Sequence, residues 1–351
     1  MSSTLPAVLA VDGGNSKSDL ALVADDGALL ASVRGPGMTK PDLAKTLGLL
    51  TSLIGQAQRQ AGRPGCPVAR HLSACVANAD LPEEEEALTA ALRAQGWTGT
   101  TEVVNDTFAV LRAGLDAAVP DGLSPAAGSS APAGGAAEQH WGVAVTCGAG
   151  INCVGVAPDG RRTGFLALGS ITGDWGGGHG LGQAALWWAM RAEDGRGPGT
   201  ALRGAVAAHF GMPSVREVAI GIHLGTISEP SLGGLAPAVL ALAEDGDEVA
   251  ARLVRKQAGE ICAMALTVMR RLGLTGLATP VVLGGGVLAA RDPMLTAGII
   301  EGIRAGAPQA AVRITDVPPV AGAALLGLDR LGAGPEAERR LRANYAERTP
   351  P

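Results

Sequence analysis

Two apolar runs separated by a glycine turn form the stretch Val8–Val23, which reads VLAVDGGNSKSDLALV. A GxxxxGK[ST] or GxGxxG loop would open a helix, and neither spacing is present. The residues after Ser16 show no apolar stripe at helical spacing before Asp25-Asp26-Gly27 signals a turn. The stretch therefore predicts two antiparallel strands joined by a hairpin, followed by a third strand at Ala28–Val33.

Such a hairpin can bind phosphate through its backbone N–H groups, here with the Ser16 hydroxyl and the Lys17 ammonium beside them. Asp12 ends the first strand, where a single carboxylate can hold a magnesium ion that keeps most of its waters. A tight turn in which Asp12 only caps the loop explains the same residues, because Gly-Gly turns are common. Both interpretations stay open on this stretch alone.

The layout of this hairpin occurs again at Trp141–Gly160, WGVAVTCGAGINCVGVAPDG. Both stretches run strand, glycine turn, strand and a turn ending in Asp-Gly, which indicates an internal duplication. Two facing hairpins could hold a polyphosphate from both sides, so the repeat favours the phosphate interpretation. Before the second hairpin, residues 120–138 consist mainly of Ala, Gly, Ser and Pro, which predicts a flexible linker or insertion.

Composition excludes several classes of function. The chain has 351 residues and is 47% hydrophobic, enough for a large core in two domains. Its net charge of −5 gives no reason to expect nucleic acid or an anionic membrane as a partner. No apolar segment is long enough to span a bilayer, and the N-terminus lacks signal-peptide features, so a cytoplasmic protein is expected. The scattered cysteines and histidines show no disulfide or zinc spacing.

Three further stretches carry candidate functional residues. Asp106 lies where a short strand, Glu102–Val104, meets a helix predicted over Phe108–Leu115, and open α/β sheets bind ligands at such junctions. A helix cap is the alternative, because Asp is a favoured N-cap residue. Residues 169–182, GSITGDWGGGHGLG, are so rich in glycine that they predict a loop. Residues 280–288, PVVLGGGVL, predict a strand and a glycine turn against which a base or ribose could lie.

The order of these motifs resembles the sugar kinases of the actin-like ATPase superfamily, and among them the N-acetylglucosamine kinase group of the BadF/BadG/BcrA/BcrD ATPase family. The motifs that carry the resemblance are VDGGNSKSDLALV, Asp106, CGAGINCVGVAPDG, GDWGGG, RAEDGRGPGT, VVLGGGVL and PPVAGAALLGL, along nearly the whole chain. The resemblance implies an α/β fold of two RNase H-like lobes with ATP and a sugar in the cleft between them. The expected division is 1–118 for the first lobe, 119–139 for a linker or insertion, 140–334 for the second lobe with a helical insertion, and 335–351 for a tail that packs on the first lobe.

The resemblance also implies roles for individual residues. Asp106 would be the general base on a sugar hydroxyl, and Asp12 would hold Mg²⁺. The ATP-binding residues would be Gly13, Gly14, Asn15, Ser16 and Lys17 in the first hairpin, Gly148, Ala149 and Gly150 in the second, and Gly284, Gly285 and Gly286 at the adenosine. The sugar-binding residues would be Thr39, Asp106, Asn152, Asp174 and Trp175.

Three departures from the family pattern fall near the sugar. Gly148-Ala149-Gly150-Ile151 replaces a frequent Gly-Thr-Gly-Ser, and Thr39 replaces a common Asn. The sequence LALGS stands where a Gly-Gly-Trp-Gly-His stretch is usual before Gly173, so Trp175 would have to supply the aromatic ring. The departures leave a kinase as the expectation and bear on the identity of its sugar.

The expected function is ATP-dependent phosphorylation of an amino sugar, with the 6-hydroxyl of N-acetylglucosamine as the first candidate and glucosamine or another hexosamine as the alternative. An energy-coupling ATPase that holds an iron–sulfur cluster is less favoured, because Cys147 and Cys153 lie in the hairpin and not in a shared helical region. A sugar-binding regulator without catalysis is a further alternative, although no DNA-binding extension is apparent. The oligomeric state stays open, with a homodimer as one alternative.

Overall fold

The structure is a computed structural model that describes residues 5–38, 42–77, 79–115 and 140–347. It is an α/β protein with two five-stranded sheets. By its internal contacts the chain divides into two compact units. The first unit comprises Met1–Ala144, Val154–Leu166 and Thr315–Pro351, and the second comprises Val145–Cys153 and Ala167–Ile314. The domain boundaries drawn from the sequence stay a prediction.

The strands are short apolar runs that end near glycine, proline or polar residues, as their sequences predict. The first sheet contains β1 (Val8–Gly13), β2 (Lys17–Val23), β3 (Leu29–Pro36), β4 (Ala69–Val76) and β5 (Thr98–Asn105). The second sheet contains β6 (Gly142–Cys147), β7 (Ile151–Val156), β8 (Arg162–Gly164), β9 (Pro280–Gly284) and β10 (Ala311–Ile314).

The helices cover the segments with apolar residues at helical spacing. They are α1 (Leu43–Ala61), α2 (Pro82–Ala94), α3 (Asp106–Gly114), α4 (Gly177–Glu193), α5 (Leu202–His209), α6 (Val215–His223), α7 (Ala236–Glu244), α8 (Glu248–Leu272), α9 (Gly286–Ala289), α10 (Pro293–Gly306), α11 (Pro319–Arg330) and α12 (Pro335–Ala346). A short 3-10 helix lies at Gly169–Ile171, and a longer 3-10 helix lies at Glu229–Leu235.

The two sheets have the same strand order. In the first, β3-β2-β1-β4-β5, β2 is antiparallel to β1 and β3, while β4 is parallel to β1 and β5. Gly13 pairs with Ser18, so the predicted hairpin is confirmed. The second sheet has the order β8-β7-β6-β9-β10 when taken from β8. Since β6 and β7 occupy the places of β1 and β2, the topology supports an internal duplication.

The first sheet buries a separate core on each face, because side chains alternate along a strand. Leu9 and Val11 of β1 belong to a core with α1, whereas Val8 and Ala10 belong to a core with α11 and α12. Each large apolar side chain buried in this way contributes roughly 1.5–3 kcal/mol to folding. Asp12 follows the same alternation, so its side chain is on the face of Val8 and Ala10.

Glycine allows α11 to lie close to the rest of the first unit. A Cβ at Gly322 would come within 1.9 Å of the Ala109 carbonyl oxygen of α3, and one at Gly327 within 2.5 Å of the Val8 side chain. The motif PPVAGAALLGL is therefore a helix that packs tightly on both α3 and β1.

The predicted loop over residues 169–182 is wrong in its second half, because α4 begins at Gly177. Its glycines are required by packing: a Cβ at Gly182 would lie 1.9 Å from the Leu232 carbonyl oxygen, and one at Gly178 2.9 Å from that of Gly233. The weak helix propensity of glycine is overridden here by close contact with the 3-10 helix at Glu229–Leu235.

Within the described part of the chain, no helix combines the length and the apolar character that crossing a bilayer requires.

Candidate active site

The sheet edge at the end of β1 carries a buried carboxyl group. Asp12 is only 7% exposed and pairs in register with Asp19 of β2. Asp19 is neutralised by Arg34, whose Nε and Nη2 donate to its carboxylate oxygens at 2.6 and 3.1 Å. The ammonium of Lys17 lies 3.7 Å from the same carboxylate. No hydrogen bond or ion pair of this kind joins the Asp12 carboxyl to another described residue.

The first hairpin, Gly13–Lys17, is held in one shape by its neighbours. Gly14 N–H donates to the Lys17 carbonyl at 3.0 Å, and Met38 N–H donates to the Gly14 carbonyl at 2.9 Å. A Cβ at Gly13 would lie 2.8 Å from the Met38 sulfur, so larger residues would disturb this contact. The side chains of Ser16 and Lys17 are exposed at the tip, where they are available to a ligand.

Asp106 lies at the same edge of the sheet. The last residues of the three parallel strands are in register, with Gly13 opposite Val76 and Val76 opposite Asn105. Asp106 follows Asn105 directly as the first residue of α3. Parallel strands place their carboxyl ends together, so β1 and β5 bring Asp12 and Asp106 to one site.

The capping role at α3 belongs to Asn105 and not to Asp106. The Asn105 Oδ1 accepts from Thr107 N–H at 2.9 Å, and its Nδ2 donates to Asp80 at 2.8 Å. The alternative that Asp106 is the helix cap is therefore wrong. Its carboxylate accepts a long hydrogen bond of 3.4 Å from the Thr107 hydroxyl, and the backbone N–H groups of Asp106 and Thr107 lie close enough to lower its pKa in part.

The two carboxyl groups at this edge have different proton affinities. Burial raises the pKa of Asp106 to about 6. Burial, followed by the negative charges of Asp106 and Asp19, raises the pKa of Asp12 to about 8. A positive charge beside Asp12 would therefore be strongly stabilised, because it would remove both penalties.

The second hairpin, Gly148–Gly150 in the second unit, is held by the start of α4. Gly148 N–H donates to the Gly150 carbonyl at 2.9 Å and closes the turn. Gly178 N–H and His179 N–H donate to the carbonyls of Gly148 and Ala149, at 2.7 and 2.9 Å. Gly177 has a φ of +70°, and a Cβ there would lie 2.4 Å from the Gly150 carbonyl oxygen. Only glycine permits this approach.

The glycine turn after β9 contacts the second hairpin. Gly285 has a φ of +100°, and a Cβ there would lie 2.5 Å from the carbonyl of Cys147, which precedes Gly148. Gly286 then begins α9. The structure thus brings together two of the predicted ATP-binding groups, Gly148–Gly150 and Gly284–Gly286.

The remaining predicted sugar residues lie in the second unit, except Thr39, which is outside the described residues. Asn152 Oδ1 accepts from the N–H of its neighbour Cys153 at 2.7 Å. Asp174 accepts from the Thr172 hydroxyl at 2.6 Å. The Lys256 ammonium lies 3.9 Å from the ring centre of Trp175, so one face of that ring already carries a cation.

Comparison with known proteins places this architecture in a family. Residues 9–327 match the model of the BadF/BadG/BcrA/BcrD ATPase family. The chain belongs to this family. An N-acetylmuramic acid/N-acetylglucosamine kinase of Clostridium acetobutylicum is 25% identical over 288 residues, which cover 80% of this chain and 85% of that protein.

Solved structures show the same fold. A Chromobacterium violaceum protein that carries N-acetylglucosamine kinase as a provisional name matches with a TM-score of 0.68 and 23% identity, over 92% of this chain and 99% of that one. A ROK family glucokinase from Streptomyces griseus, in complex with glucose and AMPPNP, matches with a TM-score of 0.57 and 16% identity, over 92% of this chain and 98% of that one. The predicted fold class, α/β with two RNase H-like lobes of the actin-like ATPase type, is confirmed, as is the predicted family.

Asp12 of this BadF-type ATPase fits a magnesium ion better than a fully protein-bound metal. Its buried carboxyl group has a raised pKa and no cationic partner within hydrogen-bond distance. Among the described residues, no group of three His, Cys, Asp or Glu side chains is placed to hold a metal. Magnesium takes one or two carboxylates and completes its shell with water and phosphate oxygens, which matches one acid beside a glycine hairpin.

Two residues of the site were missed by sequence analysis. Asp19 is the one acid in the apolar run that follows Lys17, and its position opposite Asp12 could have been found from the hairpin register. Gln257 of α8 has 0% exposure, and its Oε1 accepts from Gly177 N–H at 2.9 Å. No local pattern reveals this second contact, because the two residues are 80 positions apart.

Proposed function

We propose that this BadF-type ATPase is an ATP-dependent amino-sugar kinase that phosphorylates the 6-hydroxyl of N-acetylglucosamine. The observation that carries the proposal is the meeting of Asp12 and Asp106 at one sheet edge beside a glycine hairpin. Phosphoryl transfer requires positioning, neutralised phosphate charge and one group to accept the hydroxyl proton. The two carboxyl groups differ in pKa, about 8 for Asp12 and about 6 for Asp106, which suits Asp12 to a cation and Asp106 to a proton.

Asp106 is the general base of the proposed reaction. Its pKa of about 6 keeps the carboxylate mostly ionised at neutral pH, yet makes it a better proton acceptor than an exposed Asp. Asn105 holds the start of α3 through its own cap bond, and the Asp106 carboxylate receives the proton of the sugar hydroxyl.

Asp12 and the first hairpin serve the phosphate end of ATP. Asp12 would hold Mg²⁺, which when bound neutralises charge on the phosphate oxygens. Those backbone N–H groups of Gly13–Lys17 that are not used within the hairpin, with the Ser16 hydroxyl and the Lys17 ammonium, bind phosphate oxygens directly. In the second unit, Gly148–Gly150 binds phosphate through its backbone, and Gly284–Gly286 leaves room for the adenosine.

The acceptor is proposed from the named relative and from chemistry. The Clostridium relative is named for N-acetylmuramic acid and N-acetylglucosamine. Asn152 and Asp174 would bind ring hydroxyls of any hexose, so discrimination rests on the 2-acetamido group. A site that hydrogen-bonds this amide rejects sugars without it, because its own buried groups would be left unpaired. Glucosamine, whose ammonium could pair with Asp174, is the alternative acceptor.

An energy-coupling ATPase with an iron–sulfur cluster is disfavoured by the cysteines. Cys147 and Cys153 have 0% exposure. Burial raises the pKa of Cys147 to about 12 and that of Cys153 well above its usual value. Cluster ligands are thiolates, and these two thiols are held in their protonated form.

The proposal is tested by ADP release in the presence of N-acetylglucosamine, glucosamine and glucose. We expect the highest kcat/KM for N-acetylglucosamine. Asp106→Asn should lower sugar-dependent ADP release by roughly 10²–10⁴-fold, the usual cost of losing a general base. Asp245→Asn is the matched control, because Asp245 is exposed at the end of α7.

Three outcomes would contradict the proposal in different ways. If no sugar stimulates ADP release, the protein is not a sugar kinase. If glucose equals N-acetylglucosamine, the argument from the amide is wrong, and a clear lead for glucosamine would select the alternative acceptor. If Asp106→Asn retains near-normal turnover, the base lies elsewhere.

A further inference from the structure

A cavity of about 1080 Å³ lies in the first unit, apart from the edge that carries Asp12 and Asp106. It is lined by residues of α2, β4, β5, α3, β7, β8, α11 and α12, and neither of those two acids is among them. His71 of β4 is one of the residues that line it. The register partner of Asp12 is Cys75. His71 lines the cavity four residues before Cys75, roughly 13 Å away, Ser73 lines it roughly 7 Å away, and Val104 of β5, which pairs with Cys75, lines its nearest end.

Some charged groups of the cavity wall are already paired. Arg112 is 2% exposed and donates to Asp329 at 2.7 and 3.1 Å and to Glu338 at 2.8 and 2.7 Å. The hydrogen bonds from Arg112 lower the pKa of Glu338 to about 2, against the opposing effect of burial. This network ties α3 to α11 and α12, and its charges are not available to a ligand.

Three arginines and one glutamate of the wall form no ion pair with any other described residue. Arg93, Arg162 and Arg330 line the cavity, and no ion pair or hydrogen bond joins their side chains to other described residues. The Arg162 guanidinium lies 5.3 Å from the centre of the Phe108 ring, which helps to fix its position. Glu102 is exposed on the same wall and is likewise without a partner in the described part of the chain.

His71 presents one more donor to this wall. It is 1% exposed, and burial lowers its pKa, so the ring is neutral at pH 7. Its Nδ1 lies 2.8 Å from the Thr100 hydroxyl, which has only a 3.5 Å alternative at the Arg70 carbonyl. We assign the single hydroxyl hydrogen to the shorter contact, so that the hydroxyl donates to Nδ1 and Nε2 carries the ring hydrogen. That Nε2 is buried without a hydrogen-bond partner, although such groups are normally satisfied.

We propose that this cavity is a second binding site, specific for a sugar phosphate. Three exposed guanidinium groups without an ion-pair partner, together with a buried imidazole nitrogen without a hydrogen bond, favour an anionic ligand, and Arg pairs with phosphate through parallel hydrogen bonds. Glu102 is suited to accept hydrogen bonds from sugar hydroxyls. The volume is ample for a phosphorylated hexose.

The position of the cavity allows a bound ligand to affect the rate of the proposed reaction. Phe108, Leu111 and Arg112 of α3 line it, and the same helix begins at Asp106. A ligand that favours one placement of α3 would shift the position of the proposed base, so occupancy should change kcat.

The test is isothermal titration of the intact protein with glucosamine 6-phosphate, N-acetylglucosamine 6-phosphate and inorganic phosphate, without ATP. We expect a sugar phosphate to bind, and the pair of substitutions Arg162→Gln and Arg330→Gln to weaken it by at least about tenfold. Asp106→Asn and the exposed control Arg59→Gln should bind as the wild type does. His71→Gln should weaken binding as well, with an unchanged melting temperature as the check on folding.

Several results would overturn the proposal. Binding that survives the double substitution but is lost in Asp106→Asn would place the ligand at the catalytic edge instead. Inorganic phosphate that binds as tightly as the sugar phosphates would show an adventitious ion only, and no binding of any of the three would remove the site. None of these results depends on turnover, so the proposed kinase function is tested separately.

Discussion

The two glycine hairpins share a layout and differ in what they offer a ligand. The first, Gly13–Lys17, has Asp12 at its base and exposed Ser16 and Lys17 at its tip. The second, Gly148–Gly150, has no polar side chain and is held through its carbonyls by Gly178 and His179. The first hairpin therefore offers charged and hydroxyl groups to a ligand, while the second offers only its backbone.

The two hairpins also differ in what limits their stability: electrostatics in the first and steric space in the second. Asp12 is destabilising in the folded protein, since burial and nearby acids raise its pKa to about 8. The second hairpin contains no ionisable group and is limited instead by space, as the 2.4 Å approach at Gly177 shows. Changes in the first should act on chemistry, and changes in the second should act on stability.

The largest effect is expected from Asp12→Ala. Removal of the proposed magnesium ligand should lower turnover by roughly 10³-fold, on the order of 4 kcal/mol, with sugar affinity unchanged. The melting temperature without ATP should not fall: the folded pKa of about 8 exceeds the ordinary 3.8, so at pH 7 the carboxyl lowers stability. Titration of sugar and a thermal melt measure both. Loss of sugar affinity, or a large drop in stability, would contradict the assignment.

Gly177→Ala should act on stability through the second hairpin. The substitution forces alanine into a left-handed backbone conformation and makes its Cβ clash with Gly150. We expect a loss of about 2–4 kcal/mol in the free energy of unfolding. Gly173→Ala is the matched control, because Gly173 has a φ of +83° but open space at its Cβ. Equal losses in denaturant unfolding would show that the contact with the hairpin adds nothing.

The smallest effect is expected from Ala149→Thr. The side chain of Ala149 is exposed at the second hairpin, so a threonine can be accommodated and adds a hydroxyl donor. We expect KM for ATP to fall about threefold, the size of one exposed neutral hydrogen bond. Steady-state kinetics with ATP varied will measure it. A higher KM would mean that this hairpin does not contact phosphate.

Sequence analysis located the hairpins and Asp106 because their signals are local: an apolar run, a glycine turn and a strand end all lie within a few residues. It failed where distant residues decide. Gly177 to Gly182 became helical because contacts with Leu232 and Gly233 require glycine there, and Gln257 reaches Gly177 from another helix. Which of Asn105 and Asp106 caps α3 depends on side-chain geometry, because only the structure shows that Thr107 N–H donates to Asn105.

The most direct test of the account is the pH profile of kcat/KM for N-acetylglucosamine with magnesium and ATP. A general base works only when deprotonated, and burial raises the pKa of Asp106 to about 6. With magnesium and ATP saturating, so that Asp12 stays ionised beside the metal, the wild type should therefore lose activity about tenfold per pH unit below that value and level off above it. Asp106→Asn should leave a low residual activity without this limb. A limb that persists in Asp106→Asn, or a wild-type profile that is flat from pH 5 to 8, would contradict the claim that Asp106 accepts the proton.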